Sequence, residues 1–251
     1  MRVLLAGESW TTTSYHTKGF DTFVTSKYEE GAGPFLTALR GGGIETDYLP
    51  NHLAMNSFPD SVEGLARYDV CVLSDIGANT LSLPAAVFES SQIRPSRLAA
   101  IADWVAQGGS LLMVGGYLSF QGFNAMANYR NTVLADVLPV ELEPGDDREE
   151  CAYGPRPTVV DPGHPIVRSL PVEWPPILGF QRLRPKAGAG VVAEVEGHPL
   201  IVIGRHGAGR TAALATDMSS HWLPAAFLEW DGYPKLFRQL IQWLGSGDSD
   251  E

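Results

Sequence analysis

Ser110-Leu111-Leu112-Met113-Val114-Gly115-Gly116-Tyr117-Leu118-Ser119-Phe120-Gln121 decides the fold. The run from Leu111 to Val114 is apolar without alternation, so it reads as a strand covered on both faces, as in a parallel sheet flanked by helices. Immediately upstream, Pro95 to Val105 sets Leu98, Ile101, Ala102 and Val105 on one helical face and stops at Gly108-Gly109. Tyr68 to Asp75 is a second unbroken strand, ending in the polar pair Ser74-Asp75. Arg2 to Gly7 is a third, feeding a loop that carries Glu8, Ser9, Trp10 and His16. Between these two lie a helix expected from Lys27 to Leu39, stopped by Gly41-Gly42-Gly43, and a strand expected from Ile44 to Leu49. Asn51 and Pro59-Asp60 can each start a short helix. Strands and helices alternating with short connections give an α/β protein with a doubly wound parallel sheet and right-handed crossovers.

Beyond Val137 the pattern changes to shorter runs: Leu138 to Leu142, Thr158 to Val160, Gly190 to Val195, Leu200 to Gly204 and Thr211 to Thr216. Glu194 to Leu200 and Arg205 to Arg210 look like hairpin turns, so an antiparallel β extension is expected in the C-terminal half. Gly232 to Leu244 repeats Leu236, Phe237, Leu240, Ile241 and Leu244 at helical spacing. No repeat or linker divides the chain, which reads as a single domain over 1–245 with a disordered tail at 246–251.

A chain of 251 residues, 44% hydrophobic and 19% charged, buries a substantial core. Its formal charge of -11 argues against nucleic acid, whose phosphates select basic surfaces. No apolar run suffices to span a bilayer and the apolar N-terminal stretch is short for a signal peptide, so no membrane partner is expected and cytoplasm is the default compartment. Cys71 and Cys151 lie far apart without metal-type spacing, so neither a disulfide nor a metal site is read, and no cofactor is indicated.

In open α/β sheets the site lies outside the carboxyl ends of the strands. Those turns present Glu8, Ser9 and Trp10, then Ser74, Asp75 and Asn79, then Tyr117, Ser119, Phe120 and Gln121, then Asp217, Ser219, Ser220, His221 and Trp222. The third set, Gly115-Gly116-Tyr117-Leu118-Ser119-Phe120-Gln121, resembles the turn Gly-x-Cys-x-Gly-His-Gln of class I glutamine amidotransferases. That resemblance implies a flavodoxin-like sheet of the class I glutamine amidotransferase type, and a strained strand-to-helix elbow that exposes a nucleophile and aims helix amides at an oxyanion. Gly115 and Gln121 match the motif. Tyr117 falls on the cysteine, Ser119 on the second glycine and Phe120 on the histidine. A phenol, protonated up to about pH 10, does not replace a thiolate as acyl acceptor. The family's later His-x-Glu also has no counterpart: the strand at Thr211–Thr216 runs into Asp217-Met218-Ser219-Ser220-His221-Trp222.

The chain is more closely similar to bacterial proteins with a glutamine amidotransferase-like domain, and more distantly to ThuA-like proteins. The likeness is carried by Gly7-Glu8-Ser9-Trp10, Leu73 to Asn79, Gly115 to Phe120, Gly163-His164-Pro165-Ile166, Thr216-Asp217 and His221-Trp222. It implies no established reaction, and glutaminase activity is not expected.

Each candidate also has a plainer reading. Tyr117 either fills the vacated nucleophile pocket or touches a ligand. Ser119 caps a helix more readily than it attacks a substrate. Glu8 and Asp75 are capping or ion-pair partners, or bind ligand hydroxyls. Asp217 either orients His221 for acid/base work or caps a helix beginning near Ser219. Trp10 and Trp222 follow strand ends, where aromatic faces pack on flat ligands. His164, His198 and His206 sit in turns, and Gly207-Ala208-Gly209-Arg210 lacks the Lys-Ser/Thr and helix of a phosphate loop.

Three functions follow. The first is a pseudoenzyme binding a small polar ligand, a carbohydrate or its derivative, through Glu8, Trp10, Asp75, Tyr117, Ser119 and Trp222. The second is a hydrolase using His221 with Asp217 or Glu8. The third is a structural module in a homo-oligomer, since the resembling domain of some β-galactosidases is an oligomerisation element.

Overall fold

The computed structural model describes residues 1–247. Its first half runs β1 (Arg2–Gly7), β2 (Ser9–Lys18), β3 (Asp21–Glu30), α1 (Gly33–Arg40), β4 (Glu45–Leu49), α2 (Asn51–Ser57), α3 (Val62–Leu65), β5 (Val70–Ser74), α4 (Ala78–Ser82), α5 (Ala85–Phe88), α6 (Arg97–Ala106) and β6 (Ser110–Val114). The second half adds α7 (Leu134–Val137), β7 (Val140–Glu141), β8 (Arg148–Glu150), β9 (Thr158–Val159), β10 (Gly179–Gln181), β11 (Arg184–Pro185), β12 (Gly190–Val195), β13 (His198–His206), β14 (Gly209–Leu214), α8 (Ala225–Leu228) and α9 (Gly232–Gly245). Of the tail expected at 246–251, residues 248–251 lie outside the described residues.

The unbroken apolar runs become the middle of an eight-stranded sheet in the order β4-β1-β5-β6-β14-β13-β12-β9. The first five strands are parallel, and β13, β12 and β9 continue the sheet antiparallel. Every residue of β5, β6 and β14 is buried, as strands covered on both faces require. Gly7 is paired with Ser74, Ser74 with Val114 and Val114 with Leu214, so four chain segments leave the sheet side by side at one edge. That edge is where the candidate residues lie.

Helix α9 buries Tyr233, Leu236, Phe237, Leu240, Ile241 and Leu244 against β5, β6 and β14, and α1 packs on it. Helix α6 packs with α3, α4 and α7 as a separate group, its start fixed by the Ser96 hydroxyl accepting the Ala99 amide at 3.2 Å. Among the described residues no helix is long and apolar enough to cross a membrane.

Two expectations are corrected. Glu8, Ser9, Trp10 and His16 do not share a loop: β2 starts at Ser9 and pairs antiparallel with β3 for its whole length, as a separate two-stranded ribbon. The helix expected from Lys27 therefore begins later, at Gly33, with Pro34 in its first turn, because Lys27 to Glu30 pair with Ser9 to Thr12. The run of threonines in this segment favours such pairing.

The Phe237 ring is fully buried, edge-on to Phe35 at 5.3 Å and tilted against Tyr233 at 4.7 Å. Phe237→Ala should lower unfolding free energy by about 3–5 kcal/mol in urea denaturation; a loss under about 1 kcal/mol would mean α9 is not locked to the sheet in this way.

Candidate functional site

The site begins where β1 ends. Gly7 has φ +115°, and a Cβ there would stand 1.7 Å from the Ser74 carbonyl oxygen, so only glycine lets β1 close on β5. Glu8 follows with φ 49° and donates its amide to that carbonyl at 2.9 Å. This turn drives the Glu8 side chain inward, where it is 1% exposed and accepts the Ser74 hydroxyl at 2.5 Å. Gly31, at the return of the ribbon, leaves the space its other oxygen needs: a Cβ there would lie 2.7 Å from Oε2.

After β5, Asp75 takes φ 46° and clamps the bend that follows β6. Its amide donates to Ser119 Oγ at 3.0 Å, and its own Oδ1 accepts the Leu118 amide at 2.7 Å. The far side of the bend is held by Asp147, whose two oxygens accept the Gln121 and Gly122 amides at 3.0 and 2.8 Å. Burial pushes the Asp147 carboxyl up to about 6 against these hydrogen bonds. Gln181 Nε2 donates to the Gly116 carbonyl, and Gln121 Oε1 accepts the Arg130 amide at 2.9 Å.

The bend differs from the elbow expected of it. Tyr117 does occupy the turn directly after β6, but left-handed φ values fall at Asp75 and Phe120 rather than at Tyr117. No α-helix follows: the next regular structure is a single 3-10 turn at Phe123–Ala125. No helix amides are therefore aimed at an oxyanion, and Ser119 is no helix cap. Its hydroxyl is spent on Asp75.

After β14 the chain reaches Asp217, 3% exposed, whose Oδ1 accepts the Met218 and Ser219 amides at 2.6 and 2.9 Å. This is a local turn and not the expected cap, since the next helix starts only at Ala225. Its Oδ2 lies 3.7 Å from His221 Nδ1. The His221 ring is edge-on to Tyr117 at 4.3 Å and stacked on Trp222 at 5.6 Å.

These segments enclose a cleft of about 490 Å³. Trp10, Tyr117, Leu118, Phe123 and Met126 give it apolar and aromatic walls, while Asp75, Asp217, Ser219, Ser220 and His221 supply its polar groups. Glu8, Ser119 and Trp222 are buried behind this lining, not facing it. The Trp222 indole fits against Gly179 and donates to Glu150 Oε2 at 3.1 Å, a packing role. Phe123, Met126 and Arg148 escaped the sequence reading. The Arg148 guanidinium lies 4.3 Å from the centres of both the Tyr117 and Phe123 rings. It is ion-paired to Asp146 at 2.9 Å, which holds that carboxyl well below its usual range. The run Asp146 to Glu150 reads in sequence as a solvated charged stretch, and nothing local marks it as scaffold for an aromatic wall.

Glu8 and Asp217 share one environment under the cleft. Burial raises both, and each is raised further by a neighbouring carboxylate. Asp217 is pushed up to about 7, and Glu8 well above its usual value by burial first and then by Asp217 and Asp75. Both shifts favour the protonated form over the carboxylate. Among the described residues no group of His, Cys, Asp and Glu could hold a metal ion.

Residues 2–246 match the family described as "Putative glutamine amidotransferase". The chain belongs to that family. Two solved Salmonella typhimurium structures are close to it: cytoplasmic protein STM3548 is 44% identical, covers 97% of this chain and 99% of its own, with a TM-score of 0.95. Cytoplasmic protein STM1381 of strain LT2 is 45% identical over 97% of this chain and 99% of its own, with a TM-score of 0.94. A ThuA-like protein from Parabacteroides merdae shares the fold at 12% identity, covering 100% of this chain and 91% of its own, with a TM-score of 0.55. Among curated proteins none matches the sequence significantly.

The raised carboxyls fix the sign of a pH effect. A group whose folded pKa exceeds its unfolded value stabilises the fold below the unfolded pKa and loses that contribution as pH rises through the folded one. For Asp217 that window runs from 3.8 to about 7. Asp217→Asn keeps the oxygen that accepts the two amides and removes the buried charge. Thermal unfolding should show the variant more stable than the parent at pH 8, by about 1 kcal/mol or more, with the difference closing towards pH 4. A parent protein that gains stability from pH 4 to pH 8, with the variant falling behind, would reverse the assignment.

Proposed function

We propose that this family member has no glutaminase activity and uses its cleft to bind a small molecule with hydroxyls on one side and a flat apolar face on the other, a carbohydrate or its derivative. The observation that carries this reading is that no thiol reaches the cleft. Class I glutaminase chemistry needs a thiolate to form the acyl intermediate. The chain has two cysteines. Cys71 lies inside β5, where burial pushes its thiol up to about 12. Cys151 is also buried, with its Sγ directed at the Glu149 carbonyl and its thiol raised by that burial. At the bend stands Tyr117, a phenol raised above its ordinary pKa by burial and by Glu150, hence protonated at neutral pH.

The ligand class follows from the lining. Tyr117 and Trp10 offer ring faces to an apolar sugar-like face, and the carboxylates of Asp75 and Asp217 accept from hydroxyls. The naming of both Salmonella relatives as cytoplasmic supports the same compartment for this chain.

A second reading, a hydrolase, is favoured by one distance: His221 Nδ1 lies 3.7 Å from the buried Asp217 carboxyl, near enough to pair with the ring once it takes up a proton as a general base. Glu8, whose carboxyl Asp217 raises, would assist from behind the cleft lining. For any substrate found, His221→Ala should cost about a hundredfold or more in turnover; unchanged turnover would remove this reading.

Incubation with glutamine should release no ammonia above the protein-free blank, and sustained glutamine-dependent release would defeat the main proposal. Thermal shift against a panel of monosaccharides and sugar acids should find a stabilising ligand. Isothermal titration should then show Trp10→Ala and Tyr117→Ala each weakening it about tenfold. Equal affinity in both variants would place binding elsewhere.

A further inference from the structure

The ribbon formed by β2 and β3 is an arm about 33 Å long at the usual strand rise, with no further strand on either edge among the described residues. A two-stranded ribbon is marginally stable alone in water, so a long one that keeps its form has surface to bury. The register separates its two faces sharply. On one, Tyr15 is paired with Val24 and Thr11 with Tyr28, and from Thr11 to Thr17 and Thr22 to Tyr28 the remaining positions on that face are threonines and one serine; its one charge, Glu30 at the foot of the arm, accepts the Tyr28 hydroxyl at 2.7 Å. On the other, Lys27 is ion-paired to Glu29 at 2.7 Å, Lys18 stands across from Asp21, and Phe23, about half exposed, is covered by the His16 ring stacked on it at 4.6 Å and by the Lys18 ammonium at 5.8 Å. The charged face satisfies itself in water. The uncharged face leaves Tyr15 76% and Val24 53% exposed, and Phe20 at the tip packs on nothing, being fully exposed.

We infer that the uncharged face of this arm is a self-association surface, and that its occupant is a second copy of this chain. Charge favours that occupant: two chains each carrying -11 meet with least added repulsion where neither presents a charge, as this face does from Thr11 to Thr17 and Thr22 to Tyr28. Area permits it. An arm of this length laid on a partner buries roughly 400 Å² of itself and a similar area beneath. Two-fold exchange doubles this to roughly 1,600 Å², the size of a standard stable interface. The inference does not rest on the ligand reading, since the arm's exposed face is remote in chemistry from the acidic cleft floor.

Light scattering on the full chain over the micromolar range tests it. The parent should have a mass at least twice 27.1 kDa. The double variant Tyr15→Lys, Val24→Lys should fall to the single-chain mass, while Ser14→Lys, Thr25→Lys, on the opposite face, should leave the parent mass unchanged. Near-ultraviolet circular dichroism identical in all three establishes that each is folded, and single variants at the same positions replace any that is not. A monomeric parent, an uncharged-face variant that keeps the parent mass, or an opposite-face variant that dissociates equally would each overturn the inference.

Discussion

Two carboxyl groups that water barely reaches, Glu8 and Asp217, impose the condition that the rest of the site obeys. Burial and mutual repulsion make it costly for both to ionise, and the Ser74 hydroxyl with the amides after Asp217 supplies only part of the lost solvation. The condition arises from the sheet itself. Adjacent parallel strands deliver their carboxyl ends to one edge, and the tight passage at Gly7 turns Glu8 under that edge instead of out to solvent.

What rests on this floor is a frame of backbone clamps. Asp75 ties the turn after β5 to the bend after β6, Asp147 ties the far side of that bend, and Arg148 holds the two rings that wall the cleft. Carboxylates thus serve mainly as acceptors for amides at strand ends. His221 and the oxygen of Asp217 facing it stand together in the cleft, which is why both the binding and the hydrolase readings converge on that corner.

The sheet was legible because buried parallel strands announce themselves as unbroken apolar runs, and α6 and α9 because their apolar spacing is helical. The arm was not: its strands are rich in threonine and serine, no apolar period marks them, and Lys27 to Glu30 lead smoothly into the helix that follows. Of the candidate site, Trp10, Asp75, Tyr117, Asp217 and His221 come together as topology requires. Glu8, Ser119 and Trp222 stand at the expected strand ends yet point behind the wall, because spacing fixes a residue's place in the chain but not the φ that aims it. The resemblance to an elbow at Tyr117 likewise located the turn and not its form, since the absence of a following helix depends on contacts with Asp147 and Gln181, far away in sequence.

Carbon-13 NMR titration of the side-chain carboxyls, assigned with Glu8→Gln and Asp217→Asn, bears most directly on this pair. This account predicts that one carboxyl of the pair titrates near neutrality and that its partner keeps a proton beyond that point. Both carboxyls fully ionised by pH 5 would contradict it.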